Sequence, residues 1–536
     1  MPDVVVVGSG IAGLFVAVRC ARAGLDTIVV TKKALADSST NWAQGGIAAV
    51  LDPLDEEGLE AHVNDTIAAG CGLADEEVVR MVVNEAAGRI GDLIEAGVKF
   101  QHDDDGYDMA REGGHSSDRI LHAKDATGAE IERALIAEAR ASPRLELLES
   151  HMAIDLILAD KDADIHSIVG IWVLSPSGDV QTIPTRAVIL ATGGAGQLWR
   201  QTTNPNVATG DGIAMAQRAG AVVRDLEFVQ FHPTALAVPG ERPFLITEAV
   251  RGHGAVLMSE RDLAAWRVVD DATSDPAQFS FMLSADPRGS LATRDIVARA
   301  ADAEMKRAGD NYVWLVTEHL DADEMSKRFP TVAARLARHG LRLGEHPLPV
   351  APAAHYMVGG ISVDKHGRAQ QAPEGGDELQ YSGLYAIGEA ARTGLHGANR
   401  LASNSLIEAV VYSQKCAEVV IGDLTQTSGN TATGLPPWRA EGLQDMLEHA
   451  PLSTDRAALQ ATMTDDVGIV KRDARLQRAQ RRLAHLTDEV DRIWRSCLPS
   501  QEIIELRNMV HVASLVTNAA LLRQENIGLH YNLDHE

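Results

Sequence analysis

Histidine and arginine recur, with glycines or tight turns beside them, in four islands of the chain. They are Gln230-Phe231-His232-Pro233-Thr234, Thr247-Glu248-Ala249-Val250-Arg251-Gly252-His253-Gly254 and Arg288-Gly289-Ser290-Leu291-Ala292-Thr293-Arg294-Asp295. The fourth runs from His355 to His396-Gly397-Ala398-Asn399-Arg400. Arginine offers a planar fork that grips a carboxylate bidentately, and histidine adds a donor whose charge changes near neutral pH. These are the pieces a pocket for a small dicarboxylate needs. A single histidine is more often a satisfied structural residue and a single arginine a surface ion pair, so the weight rests on the set. The spacing offers no H-E-x-x-H metal site and no G-x-S-x-G hydrolase elbow. A further polar stretch, Arg111-Glu112-Gly113-Gly114-His115-Ser116-Ser117-Asp118-Arg119, reads equally as a functional loop or a solvated connector.

The elements that must carry these residues begin at once. Val4-Val5-Val6-Val7 is an unbroken β-branched run, followed by Gly8-Ser9-Gly10-Ile11-Ala12-Gly13 and an apolar helical stretch, Leu14 to Ala21. Strand, glycine turn and helix in this order make a dinucleotide site: the glycines permit the turn and a close backbone approach, and the helix N-terminus favours a pyrophosphate. The next strand, Thr27-Ile28-Val29-Val30, ends in Thr31-Lys32-Lys33 rather than the acid that holds a nicotinamide dinucleotide's ribose. The departure weakens the NAD reading and suits a cofactor held by Lys32 or by main chain. Ser38 to Ala49, with Gly45-Gly46, is a backbone-rich loop suited to a planar ligand.

Helices are expected over Asp55–Ala96 and Gly128–Arg140, and strands at Ile154–Leu158, Ile168–Leu174 and Ala187–Ala191, the last entering Thr192-Gly193-Gly194. The texture changes over 239–343, with helical stretches at Arg294–Ala308 and Asp321–His339 and few strands. This segment reads as an inserted α+β cap. Residues 1–238 and 344–424 are then one discontinuous α/β, Rossmann-like nucleotide-binding domain. A linker is expected at 425–437, and 438–536 as a C-terminal helical domain. At 536 residues with 45% hydrophobic and 23% charged residues the chain has the composition of a soluble globular protein. Its formal net charge of −26 makes nucleic acid and anionic membranes poor partners. Four scattered cysteines give neither a dithiol centre nor a zinc or iron–sulfur site, and fit a reducing compartment. There is no basic-then-apolar leader and no apolar run near the about 18 residues of a membrane span, so the cytoplasm is the expected location.

Taken together, the motifs resemble the succinate dehydrogenase/fumarate reductase flavoprotein family. The blocks that carry the likeness are Gly8 to Gly13, Ser39-Thr40-Asn41-Trp42-Ala43-Gln44-Gly45-Gly46, Arg111 to Ser116, Ala191-Thr192-Gly193-Gly194, Gln230 to Leu236, Arg294 to Arg299, Tyr385 to Glu389 and His396 to Leu406. The resemblance implies FAD, held by Ser9, Gly10, Ile11, Ala12, Lys32, the Ser39–Gly46 loop, Met152, Ala153, Asp211, Glu389, Ser405 and Leu406. The family's pocket residues fall on His232, Thr247, Arg294, His355 and Arg400. Of these, His232, His355 and Arg400 would grip substrate carboxylates and Arg294 would take the proton-transfer position. Glu112 would face a substrate amino group.

Within the family the likeness points to members that oxidise L-aspartate to iminoaspartate, pass electrons to oxygen or fumarate, and are functionally linked to quinolinate synthase at the start of de novo NAD synthesis. Respiratory members bond FAD covalently through a histidine; Ser39 stands at that position, so noncovalent FAD is expected. His253 occupies a place where the aspartate-oxidising members usually carry glutamate. The alternatives are a soluble fumarate reductase or succinate dehydrogenase flavoprotein, and a flavin-binding protein without turnover.

Overall fold

A computed structural model of the chain describes residues 1–102, 106–123, 126–160, 165–238, 241, 243–269, 275–372, 379–426 and 434–536. Val4–Val7 is the central strand of a six-stranded sheet, paired in parallel on one side with Thr27–Val30 and on the other with Ala187–Leu190. All four valines are buried, as a run apolar on both faces requires. Leu145–Leu148 and Leu379–Ala386 extend the parallel order, and Arg368–Gln371 closes one edge antiparallel. The first helix, Ile11–Arg22, follows the glycine turn. Gly8 has a φ of 110°, and a Cβ there would collide with the carbonyl of Ala191 at the end of the neighbouring strand. A Cβ on Gly13 would strike the carbonyl of Gly8. The turn therefore admits only glycine at both positions, and it opens at the carboxyl end of the sheet, where ligands of such folds bind.

Expected helices appear as Glu56–Ala69, Glu76–Glu95 and Thr127–Ala141. Asp55 and Asp75 cap the first two, accepting the N–H groups of Gly58 and of Glu77 and Val78. The 321–339 stretch is two helices, Ala322–Arg328 and Pro330–Ala337, because proline starts a helix readily but cannot continue one. Most of the expected linker lies outside the described residues, and the helix Asn404–Gln426 runs into its start.

The region expected as a cap holds more strand than the texture of 239–343 suggests. Its five-stranded antiparallel sheet runs Phe244–Leu245, Val229–Leu236, Leu348–Met357, Val313–Val316, Val256–Met258. The two longest strands lie outside the expected boundaries, and a separate apolar cluster, including Ile246, Leu257, Val297 and Leu348, fills the space beneath them. Those two strands are bulged against one another. Gln230 pairs with Tyr356 and Phe231 with Ala354, leaving His355 as the extra residue; past His232, the Pro233-Thr234 pair opposes a single residue. Proline cannot donate to the ladder, which accounts for the second irregularity. Both bulges fall beside the histidines singled out in the sequence. Towards the C-terminus three helices, Ala450–Asp466, Asp473–Ser496 and Gln501–Leu522, pack together, and their apolar residues join the core of the parallel sheet.

Candidate active site

A single cavity of about 1300 Å³ runs from the Gly8–Ala12 turn to the cap. It is lined by His232, Thr247, Arg294, His355, Arg400 and Glu112, and by every residue expected to hold a cofactor except Asn41. Asn41 sits in the short turn Thr40–Trp42, where its N–H donates to Ser38 Oγ at 3.3 Å.

The end near the sheet fits a dinucleotide. Gly10 and Ile11 start the helix with no side-chain cap on Gly10, and Ile11 N–H donates to Thr40 Oγ1 at 3.1 Å, drawing the Ser39–Gly46 loop over the helix N-terminus. Gly193, with a φ of 71°, has open space where a Cβ would stand. Lys32 Nζ donates to Thr209 Oγ1 at 2.6 Å and Asp211 Oδ2 at 2.7 Å, and pairs with Glu505 Oε1 at 2.9 Å. Glu505 and Asn508, whose Nδ2 reaches Asp211 Oδ1 at 2.9 Å, both come from the C-terminal helix Gln501–Leu522. Nothing near Lys32 in the chain announces a partner that far downstream. Glu389 is packed against Gly194, accepts the N–H of Met357 at 2.9 Å, and has its carboxyl pushed up to about 7 by burial.

The cap end is a cationic pocket. His232 and His355 face each other with ring centres 5.8 Å apart. Burial, then the neighbouring arginines, hold both imidazoles well below their ordinary range, so both are neutral at pH 7. His232 Nδ1 accepts the N–H of Thr234 at 3.3 Å, which leaves its proton on Nε2 as a donor. His355 Nδ1 is bonded to Thr203 Oγ1 at 2.8 Å. Arg400 donates to Gln230 Oε1 at 2.9 Å and Ser405 Oγ at 3.0 Å, and its guanidinium stacks 4.4 Å from the ring centre of Tyr356. Its buried Nε has no protein partner. Tyr356 is itself fixed by Glu408 at 2.9 Å, and Glu408 is bonded to His396 at 3.0 Å and Thr393 at 2.5 Å.

Arg294 Nε donates to Glu248 Oε2 at 2.6 Å, and Arg251 lies 3.5 Å from the other oxygen of Glu248. Burial works against ionisation of Glu248, but the two arginines outweigh it and keep the carboxyl below the usual range. Arg251 is 1% exposed and is tied to the carbonyl of Ser290 at 2.7 Å. Sequence reasoning placed Glu248 and Arg251 in an island without a role; the signal available was an acid and a base three residues apart, within one helical turn. Thr247 caps the short helix that carries them. His253 does not line the cavity; it meets Glu324 Oε1 at 3.1 Å on the cap surface. Among the described residues no group of histidine, cysteine and acidic side chains forms a metal site, and no helix is long and apolar enough to cross a membrane.

A glycine-floored cavity on a parallel sheet, joined to an Arg/His pocket under a cap, defines a flavin-dependent oxidoreductase acting on carboxylates. Residues 3–406 match the FAD binding domain family and residues 456–536 the fumarate reductase flavoprotein C-terminal family. The fold is close to that of a variant of E. coli quinol fumarate reductase, with a TM-score of 0.82 at 29% identity over 99% of this chain and 91% of that one. A quinol–fumarate reductase with menaquinol molecules superposes with a TM-score of 0.84 at 28% identity, over 99% and 92% of the two chains. Among curated proteins, L-aspartate oxidase of Pseudomonas aeruginosa is 44% identical over 99% of this chain and 95% of its own length. That of Vibrio cholerae is 42% identical over 99% and 95%, and a chloroplastic L-aspartate oxidase 2 of Nicotiana tabacum 41% over 99% and 81%. The chain belongs to the L-aspartate oxidase family of FAD-dependent flavoproteins.

Proposed function

We propose that this chain oxidises L-aspartate to iminoaspartate, the first step of de novo NAD biosynthesis. FAD, when bound, would supply a two-electron acceptor for the hydride leaving substrate Cα, with oxygen (giving hydrogen peroxide) or fumarate as the final acceptor. Its holders are Ser9 to Ala12, Lys32, the Ser39–Gly46 loop, Met152, Ala153, Asp211, Glu389, Ser405 and Leu406. Ser39, unlike histidine, offers no ring nitrogen to the flavin, so the cofactor is held without a covalent bond.

The cap end does the positioning. The free donors of Arg400 and the Nε2–H of His232, with His355 beside them, grip the two carboxylates. Glu112 would hold the α-amino group as it gives up its proton. Arg294 stays protonated, since an arginine keeps its proton below a pH of about 12. Its task is therefore to stabilise negative charge, with Glu248 and Arg251 fixing its orientation. Thr247 supports that pair by capping their helix.

The observation that carries this reading is the convergence of His232, His355, Arg294, Arg400 and an acid, Glu112, on one cavity with the glycine turn. An acid is of use to an amine and of none to succinate. The test is peroxide production from L-aspartate compared with oxidation of succinate by the same preparation; turnover of succinate alone would mark a fumarate reductase-type flavoprotein instead. We place the reaction in the cytoplasm, with quinolinate synthase as the functional partner that takes up the imine product.

A further inference from the structure

We propose that Ser403 is a positioning residue that makes Glu112 selective for an α-amino dicarboxylate over its desamino counterpart. The inference rests on the reading of Glu112 given above and adds the device that orients it. Ser403 Oγ donates to Glu112 Oε2 at 2.6 Å, the only side-chain hydrogen bond either group makes among the described residues. The other oxygen, Oε1, lies beside Gly45 with no donor, where a Cβ on that glycine would approach within 3.0 Å. Glu112, Gly45 and Ser403 all line the cavity. One oxygen is thus committed to the protein and one is left for a ligand.

The backbone is strained to achieve this. Ser403 has a φ of 60°, one of four non-glycine residues with positive φ among those described. Glycine would adopt that conformation freely, so a serine there carries a backbone cost that glycine does not. The conformation is held from both sides. Ala48 N–H donates to the carbonyl of Ser403 at 3.2 Å, and His115 Nε2 lies 2.8 Å from the carbonyl of Ala402. The tautomer follows from the partners: Arg119, which can only donate, is 3.0 Å from His115 Nδ1, so the imidazole proton sits on Nε2 and is given to Ala402. Arg119 is buried and anchored on Asp65 at 2.6 Å. Asp65, Arg119 and His115 therefore lock a strained turn whose single polar output is the bond to Glu112.

Ser403→Gly removes the hydroxyl and relaxes the backbone, so the variant folds with an unchanged or raised melting temperature. The proposal expects KM for L-aspartate to rise about tenfold with a smaller change in kcat, the loss of one charge-assisted bond on the amine-holding acid. The inhibition constant of succinate, which has no amine, stays within about twofold of the parent value. On a Glu112→Gln background, Ser403→Gly adds less than about twofold. Equal weakening of aspartate and succinate, or an unchanged aspartate KM, overturns the proposal. If Glu112→Gln abolishes the discrimination and Ser403→Gly does not, the role of Ser403 falls and that of Glu112 stands. If Glu112→Gln leaves discrimination intact, both fall.

Discussion

Replacing Arg294 by leucine removes the fixed charge beside the reacting bond and isolates its consequences. Only Nε of this guanidinium is spent on the protein, on Glu248 at 2.6 Å; the terminal nitrogens have no partner among the described residues and remain for the substrate. Loss of one preorganised donor of this kind costs about 10²–10³ in kcat, or roughly 3–4 kcal/mol. The substitution also strips Glu248 of its nearer cation and leaves Arg251 at 3.5 Å. The residual negative charge then opposes a dianionic substrate, so the combined fall in kcat/KM is about 10³-fold or more. Cofactor content is unaffected, because every polar partner of Arg294 lies in the cap. Stability changes little: leucine fills a similar volume, and a cation is removed from the first turn of Arg294–Ala308, where the helix dipole disfavours it. The assay is peroxide release from L-aspartate, with the flavin absorbance of the same sample as the control for loading. A loaded variant that retains a rate within tenfold of the parent would refute the assignment.

Three further perturbations probe the rest of the cavity. Arg400→Lys replaces a fork that spans Gln230, Ser405 and a carboxylate with a point charge, and is expected to raise the aspartate KM about 100-fold with less effect on kcat; an increase under threefold in steady-state rates would count against a bidentate grip. Glu389 has its folded-state pKa raised, so the native state binds its proton more tightly and stability is lost as pH climbs from the ordinary carboxyl range through about 7. Glu389→Gln should accordingly raise the melting temperature of the apoprotein at pH 8 and lose that advantage by pH 5, as thermal scans across the range would reveal. Lys32→Met leaves Asp211 without its cation and Glu505 with only Arg456 at 3.1 Å, and should weaken FAD binding by about tenfold or more in a fluorescence titration.

The sequence made the local devices legible and hid the distant ones. Gly8 to Gly13 announced its strand, turn and helix because three contiguous features, β-branched run, glycines and apolar period, each have one physical reading. The histidine and arginine islands were visible as residue types, but the two bulges beside the histidines, at His355 and after His232, are encoded by no periodicity. Pro233 was the one local sign of the second. The cap's sheet was underestimated because its longest strands, Val229–Leu236 and Leu348–Met357, lie beyond the change in texture that marked the insertion. The closure of the Lys32 site by Glu505 depends on a helix more than 450 residues downstream, where a glutamate on an amphipathic helix looks like any solvated acid. Ser403 was read only as part of a motif, since a backbone dihedral is not written in residue types.

The central claim is that the cationic pocket and Glu112 together commit bound FAD to an amino acid. Purified holoprotein should be acid-precipitated to recover its flavin, then assayed for hydrogen peroxide with L-aspartate and, separately, for flavin reduction with succinate. The account predicts flavin free in the supernatant, stoichiometric peroxide and iminoaspartate from L-aspartate, and succinate acting as an inhibitor. Flavin retained in the pellet, or reduction by succinate without any peroxide from L-aspartate, would contradict it.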